Sequence, residues 1–86
     1  MEFEWDGAKR AANLAKHGLD FADVARLDWA GATILPDLRF DYGEDRFFAF
    51  LKWHDELHMI AFTWRANILR VVSFRPANRK ERRLYG

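Results

Sequence analysis

The spacing of apolar and polar positions changes twice along this chain, dividing it into a helical opening, a run of strands and a helical close. Phe3-Glu4-Trp5 reads as a short extended piece, and Asp6 after it is a helix N-cap. Ala8, Lys9, Ala11, Ala12, Leu14, Ala15 and Lys16 are good helix formers, with Ala8, Ala11, Leu14 and Ala15 making a narrow apolar stripe. Gly18 terminates that helix, and Lys16 and His17 occupy its last turn, where cations complement the helix dipole. A second helix is expected from Asp20, with Asp23 in the place of a capping-box acid. Phe21, Val24, Ala25 and Leu27 form its apolar side, and it fades from Asp28 to Ala30.

From residue 32 the period is two. Ala32-Thr33-Ile34-Leu35 predicts a short strand stopped by Pro36, and 37–45 is an acidic, turn-like stretch. Three strands follow, Arg46 to Trp53, Leu57 to Arg65 and Ile68 to Arg75. In the first of them Phe47, Ala49, Leu51 and Trp53 are all apolar, whereas Arg46, Phe48, Phe50 and Lys52 are mixed. That pattern predicts a sheet with one face buried under helices and the other partly open. Pro76 ends the last strand, and Asn78 caps a final basic helix through Tyr85. A two-residue loop at Ala66-Asn67 would pair Arg65 with Ile68. Carried along both strands, that register groups Thr63, Arg65 and Arg70 on one face. It groups His58, Ile60, Phe62, Trp64, Leu69, Val71, Ser73 and Arg75 on the other, with Arg75 opposite His58.

With 86 residues, 50% of them hydrophobic and 16% aromatic, the chain has the material for one small core and one domain, 1–86. The same composition argues against disorder. There is no Cys, hence no disulfide framework and no thiolate metal site, which suits a reducing cytoplasm. The opening residues are acidic where a signal peptide would be basic, and no apolar run has the ~20 residues of a membrane span. No repeat or low-complexity segment is present. The net charge of +1 conceals a split: residues 65–86 carry seven bases and one acid, Glu81, while residues 1–64 carry seven bases and twelve acids. Six of the seven C-terminal bases are Arg, the side chain best suited to bidentate phosphate contacts.

Candidate chemistry is correspondingly narrow. Ser73 lacks the glycines of a nucleophile elbow, there is no glycine-rich phosphate loop, and His17, His54 and His58 have no metal-ligand spacing. Asp37, Asp41, Glu44 and Asp45 read as a solvated turn in preference to a cation site. Arg65, Arg70 and Arg75 stand on strands, where a charge is costly unless it meets water or a partner. Together with the basic helix carrying Arg79, Lys80, Arg82 and Arg83, they form a platform for a polyanion. Trp64, Phe74 and Tyr85 could stack bases if exposed and otherwise belong to the core.

Three ordered blocks resemble the BrnT family of type II toxins. They are Phe3-Glu4-Trp5-Asp6 with Lys9, Asn13, Lys16-His17-Gly18 and Phe21; Asp41-Tyr42-Gly43-Glu44 with Arg46; and Arg65, Arg70, Ser73, Arg75, Ala77, Glu81 and Tyr85. The sequence departs from the pattern at Phe74 and Pro76 beside Arg75, and at Ala66, where a loop glycine is usual. The resemblance implies an α+β, RelE-like domain with two N-terminal helices and a C-terminal helix around a twisted antiparallel sheet. It implies a metal-independent endoribonuclease toxin without cofactor, which inhibits translation. A cognate BrnA-type antitoxin would neutralise it, in a heterotetramer of two toxins and two antitoxins that meets DNA only through the antitoxin. Carried over residue by residue, the family's functional positions fall on Lys16 or His17, Arg65, Arg75 and Arg79 or Lys80. With the basic face they make Lys16, His17, Arg65, Arg75 and Arg79 the candidate catalytic residues and Arg70, Lys80, Arg82 and Arg83 the candidate RNA-binding residues. Metal-free RNA cleavage needs a base for the 2′-hydroxyl, an acid for the leaving oxygen and cations for the phosphorane charge. His17 or Glu44 could serve as the base. A non-catalytic interaction module, an inactivated toxin that binds its antitoxin or nucleic acid through the same basic face, is the competing class. A stand-alone DNA-binding regulator has less support, because no helix-turn-helix pattern is visible.

Overall fold

A computed structural model describes residues 1–86. The chain runs β1 (Glu2–Trp5), α1 (Gly7–His17), two 3₁₀ segments (Phe21–Arg26 and Trp29–Gly31), β2 (Thr33–Pro36), β3 (Arg46–Trp53), β4 (Glu56–Arg65), β5 (Ile68–Pro76) and α2 (Arg79–Tyr85). The local punctuation acts as the sequence expects. Asp6 accepts the Lys9 N–H at 2.9 Å to start α1, and Gly18, at φ 68°, takes the left-handed conformation that ends it. Asn78 and Glu81 close a capping box on α2. No helix is long and apolar enough to cross a membrane.

The expected second α-helix is instead the 3₁₀ segment Phe21–Arg26. Its apolar side chains explain the change. Phe21, Val24 and Leu27 recur every three residues, the 3₁₀ period, and all three are buried. An α-helical turn would rotate the third of them away from the core.

The five strands form one sheet in the order β1-β5-β4-β3-β2. The sheet is mixed, which corrects the antiparallel expectation: β1 lies parallel to β5, pairing Glu2 with Ile68 and Trp5 with Val71. No hairpin joins these two strands, so no tight turn imposes the antiparallel sense. The hairpins β3–β4 and β4–β5 turn through His54-Asp55 and Ala66-Asn67, all four residues at positive φ as a type I′ turn requires.

One face of the sheet carries the main core, with Phe21, Val24 and Leu27 packed on Ala49, Leu51, Ile60, Phe62, Leu69, Val71 and Phe74. The other face has a smaller cluster of Phe50, Leu57, Met59 and Ala77, where Tyr85 of α2 stacks on Phe50 at 4.3 Å. Because α2 has only seven residues, it covers one end of this second face.

Two departures from the expected pattern matter most. The apolar stripe of α1 faces water: Ala8, Ala11, Leu14 and Ala15 are exposed, and Asn13 is the helix's one buried residue. The second departure is in β5. Pairing follows the two-residue loop from Arg65–Ile68 to Phe62–Val71, then slips by one, so that Ala61 meets Ser73 and Met59 meets Arg75. Val72 is the extra residue of a β-bulge. A one-residue slip exchanges the two faces beyond it. Arg75 is therefore opposite Met59, not His58, and Ser73 and Arg75 leave the core face expected for them. Phe74 takes the buried place beside Ile60 and is fully enclosed. Burying a Phe in exchange for an Arg is the energetic reason for the slip.

Candidate active site

The bulge delivers Arg75 to the second sheet face, at the start of α2. Its Nη1 and Nη2 donate to Glu81 Oε1 and Oε2 at 2.8 and 3.0 Å, and Nη1 also donates to the Pro76 carbonyl at 3.1 Å. Glu81 Oε1 accepts the Asn78 N–H at 2.9 Å as well, so one carboxylate caps the helix and fixes the guanidinium. The hydrogen bonds from Arg75, first among the causes, hold the Glu81 carboxyl below its ordinary range. Arg75 is thus a preorganised cation that keeps part of its surface open.

His17 stands in the last turn of α1, ahead of the Gly18 terminator. Together with Lys16, Asn13, Val72 and Ser73 it lines a shallow hollow of about 280 Å3 where β5 runs past the end of β1. Burial lowers the His17 pKa, and the positive charges of Lys16 and Arg75 push it the same way. All three effects favour the uncharged imidazole, the form able to take a proton. Asn13 anchors this corner. Its amide donates to the Phe74 carbonyl at 2.8 Å and accepts the Phe74 N–H at 3.1 Å, acting as one residue of an added strand along the free edge of β5.

The remaining sequence candidates divide into two groups. Arg79 and Lys80 are exposed on the first turn of α2, and Lys80 lines a groove of about 390 Å3 with Arg75 and Glu81. Arg82 folds back onto the Ala77 carbonyl at 2.7 Å, and Arg83 points to water. Arg65 and Arg70 are elsewhere. Arg65 meets Glu44 at 3.5 Å beside the β4–β5 turn, and Arg70 meets Glu4 at 3.5 Å across β1. Six residues of β4 separate Arg65 from Met59, the partner of Arg75, roughly 20 Å of strand. The two ends of the basic face are therefore well separated. Glu44 is committed to Arg46 at 3.1 Å as well as to Arg65, and these pairings lower its pKa, Arg46 first. Among the aromatics considered for stacking, Phe74 is buried and Tyr85 is spent on Phe50, whereas Trp64 is exposed on the core-side face.

The 37–45 stretch contains what sequence reading missed. Asp37 is buried instead of solvated, and accepts hydrogen bonds from Arg39 Nε at 3.0 Å, Arg39 Nη2 at 3.2 Å and the Tyr42 hydroxyl at 2.8 Å. The Arg39 bonds, first among the causes, bring its pKa down to about 2. The anchored Arg39 lies over the Phe48 ring at 4.8 Å, and Arg46 lies over Tyr42 at 4.3 Å. The available signal was the alternation of Arg39 and Arg46 with Phe40, Tyr42 and Phe48, outweighed by the acidic count of the turn. No group of three or more His, Asp or Glu side chains converges as metal ligands would.

No curated protein sequence matches the chain. A family model described as the ribonuclease toxin, BrnT, of type II toxin-antitoxin systems matches residues 5–81, which takes in α1, the whole sheet from Trp5 onward and the Arg75–Glu81 pair. The chain therefore belongs to the BrnT family of ribonuclease toxins, with RNA as its target and an antitoxin protein as its partner.

Proposed function

We propose that this toxin cleaves RNA without a metal ion, at the corner formed by the end of α1, the bulged half of β5 and the start of α2. The observation that carries this reading is the Arg75 guanidinium fixed by Glu81 on the same half of β5 that lines the hollow holding His17 and Lys16. Burial, Lys16 and Arg75 all lower the His17 pKa, and Glu81 holds Arg75 through two hydrogen bonds. His17 removes the proton from a ribose 2′-hydroxyl, whose oxygen attacks the adjacent phosphorus. The bond to the 5′-oxygen breaks, leaving a 2′,3′-cyclic phosphate and a 5′-hydroxyl that takes its proton from Lys16. Arg75, with Arg79 from the next turn, balances the charge that builds on the phosphorane. Preorganised cations on developing charge are often the largest single contribution to catalysis, and an acid or base adds about 10²–10⁴-fold. Arg65, Arg70, Lys80, Arg82 and Arg83 bind the flanking strand.

The toxin works in the cytoplasm, in keeping with a chain that has no Cys. A RelE-like fold agrees with the helix, mixed five-stranded sheet and closing helix. The antitoxin assembles with it as two toxins and two antitoxins and supplies any DNA contact. The exposed Leu14 on α1 and Ile34 on the open β2 edge are surface that a protein partner would cover.

The test is cleavage of a structured RNA by the purified protein in excess EDTA, beside Arg75→Ala. Wild-type cutting with loss of about 10²-fold or more in a folded Arg75→Ala protein is expected. Undiminished cutting by that variant would remove Arg75 from the mechanism.

A further inference from the structure

Between the 37–40 loop and α2 the second sheet face is hollowed into a groove of about 390 Å3, whose floor includes Phe48 and Phe50 and whose walls include Arg39, Lys80, Glu81 and Arg75. That volume lies at the small end of ligand sites, about 300–1,000 Å3, and suits one nucleotide. Arg75, which lines this groove, belongs to the same bulged half of β5 as Val72 and Ser73, which line the His17 hollow, so the groove lies near the proposed reaction centre. The hollow on the other side of α2, about 340 Å3, sets Lys52 and Arg82 against Asp55 and Glu56 and has no aromatic side chain in its lining on which a base could stack.

Arg39 is the unusual wall. Two of its nitrogens are committed to the buried Asp37, which the Tyr42 hydroxyl also holds. A buried carboxylate spent on one exposed arginine leaves that arginine a flat, fixed plate with its charge largely balanced. The plate already lies against Phe48, at 4.8 Å from the ring centre, while 63% of the Arg39 side chain stays open to water. A balanced, planar cation layered on an aromatic ring is a poor phosphate clamp and a good stacking surface.

We infer that this groove takes the base of one unpaired nucleotide flanking the scissile phosphate, stacked against the Phe48–Arg39 pair. Its backbone runs toward Lys80 and Arg75. The site makes the toxin read single-stranded RNA and gives it a nucleotide preference at that position. The inference rests on the cleavage reading above for the word scissile, and on the groove alone for the base.

The experiment uses a short single-stranded oligonucleotide, 2′-O-methylated to block cleavage and carrying 2-aminopurine, whose fluorescence falls on stacking. Wild-type protein should quench it. Arg39→Ala and Phe48→Leu should bind roughly 5- to 150-fold more weakly, the range for loss of one stacked base. Arg39→Lys, which keeps the charge and loses the plane, should behave like Arg39→Ala. In cleavage of an unmodified RNA, Arg39→Ala should flatten the nucleotide preference and raise KM more than it lowers kcat. No quenching by wild type, or wild-type binding by Arg39→Lys, would overturn the inference. So would an Arg39→Ala protein that loses antitoxin capture and keeps the RNA signal, since the groove would then be a protein-docking surface. Arg39-dependent quenching by a protein that cuts nothing would uphold the base site and sink the cleavage reading instead.

Discussion

The base proposed at His17 is tuned by its burial and by two charged neighbours. Partial burial, Lys16 and Arg75 each disfavour the imidazolium, so its pKa lies below the ordinary value near 6.5. A base must be neutral to act, and the acidic limb of the pH–rate profile is therefore expected below pH 6.5. His17→Ala should remove that limb and cost about 10²–10⁴-fold in rate. Arg75→Gln, by withdrawing one positive charge, should move the limb toward higher pH. A limb that stays put in His17→Ala would assign the base elsewhere. The same depressed value has a stability consequence. The unfolded state binds the proton more readily, so the contribution is complete above about pH 6.5 and is lost as pH falls through the lowered pKa. Asp37 behaves likewise in its own window. Its pKa of about 2 stabilises the fold above the unfolded value near 3.9, a contribution lost as pH drops toward 2.

At the scale of elements, the site depends on β5 being bulged and on its free edge being satisfied. Beyond Val71 that strand has no β1 neighbour, and the Asn13 amide substitutes for one by pairing with both backbone groups of Phe74. Asn13→Ala would leave a buried N–H and C=O without partners, an expected loss of about 2–4 kcal/mol in thermal or urea unfolding. Asn13→Asp should also destabilise, because it keeps the acceptor for the N–H and sets a carboxylate against the carbonyl. An Asn13→Ala protein as stable as wild type would make the pairing incidental. These interactions also mark the limit of what the sequence makes legible. Helix caps at Asp6 and Asn78, the stop at Gly18 and the strand limits are short-range signals, and all could be read. The bulge could not, since it follows from whether Phe74 or Arg75 is buried against strands elsewhere in the chain. The partner of Asn13 is 61 residues away, and the burial of Asp37 depends on how Arg39 and Tyr42 fold around it. Charge count caught the basic character of the face and missed Arg39, which is set apart by the Phe48 ring beneath it.

The whole molecule sets charge against charge along one sheet face. The C-terminal 22 residues carry six excess positive charges over an otherwise acidic body, yet the strand-borne arginines meet acids from earlier in the chain or from α2: Arg65 with Glu44, Arg70 with Glu4, Arg75 with Glu81. The long, exposed Arg65–Glu44 pair contributes little to stability, about 0–1 kcal/mol, and can exchange its carboxylate for a phosphate at small cost, whereas the bidentate Glu81 keeps Arg75 in place. The face is therefore a strip of partly neutralised cations reaching roughly 20 Å from Arg75 to Arg65, the length of several nucleotides. Binding of a single strand long enough to span it should weaken with salt, and each phosphate that is no longer neutralised should reduce the slope of log K against log salt by about 0.7. Arg65→Gln should show that reduction on a long oligonucleotide. On one too short to reach from Arg75 it should bind as wild type does. An equal effect on both lengths would mean that Arg65 acts at the reaction corner, and the geometry of β4 forbids that unless the strand bends. The length dependence thus separates a face that tracks the RNA backbone from a single compact site, which the charge balance of the chain alone cannot do.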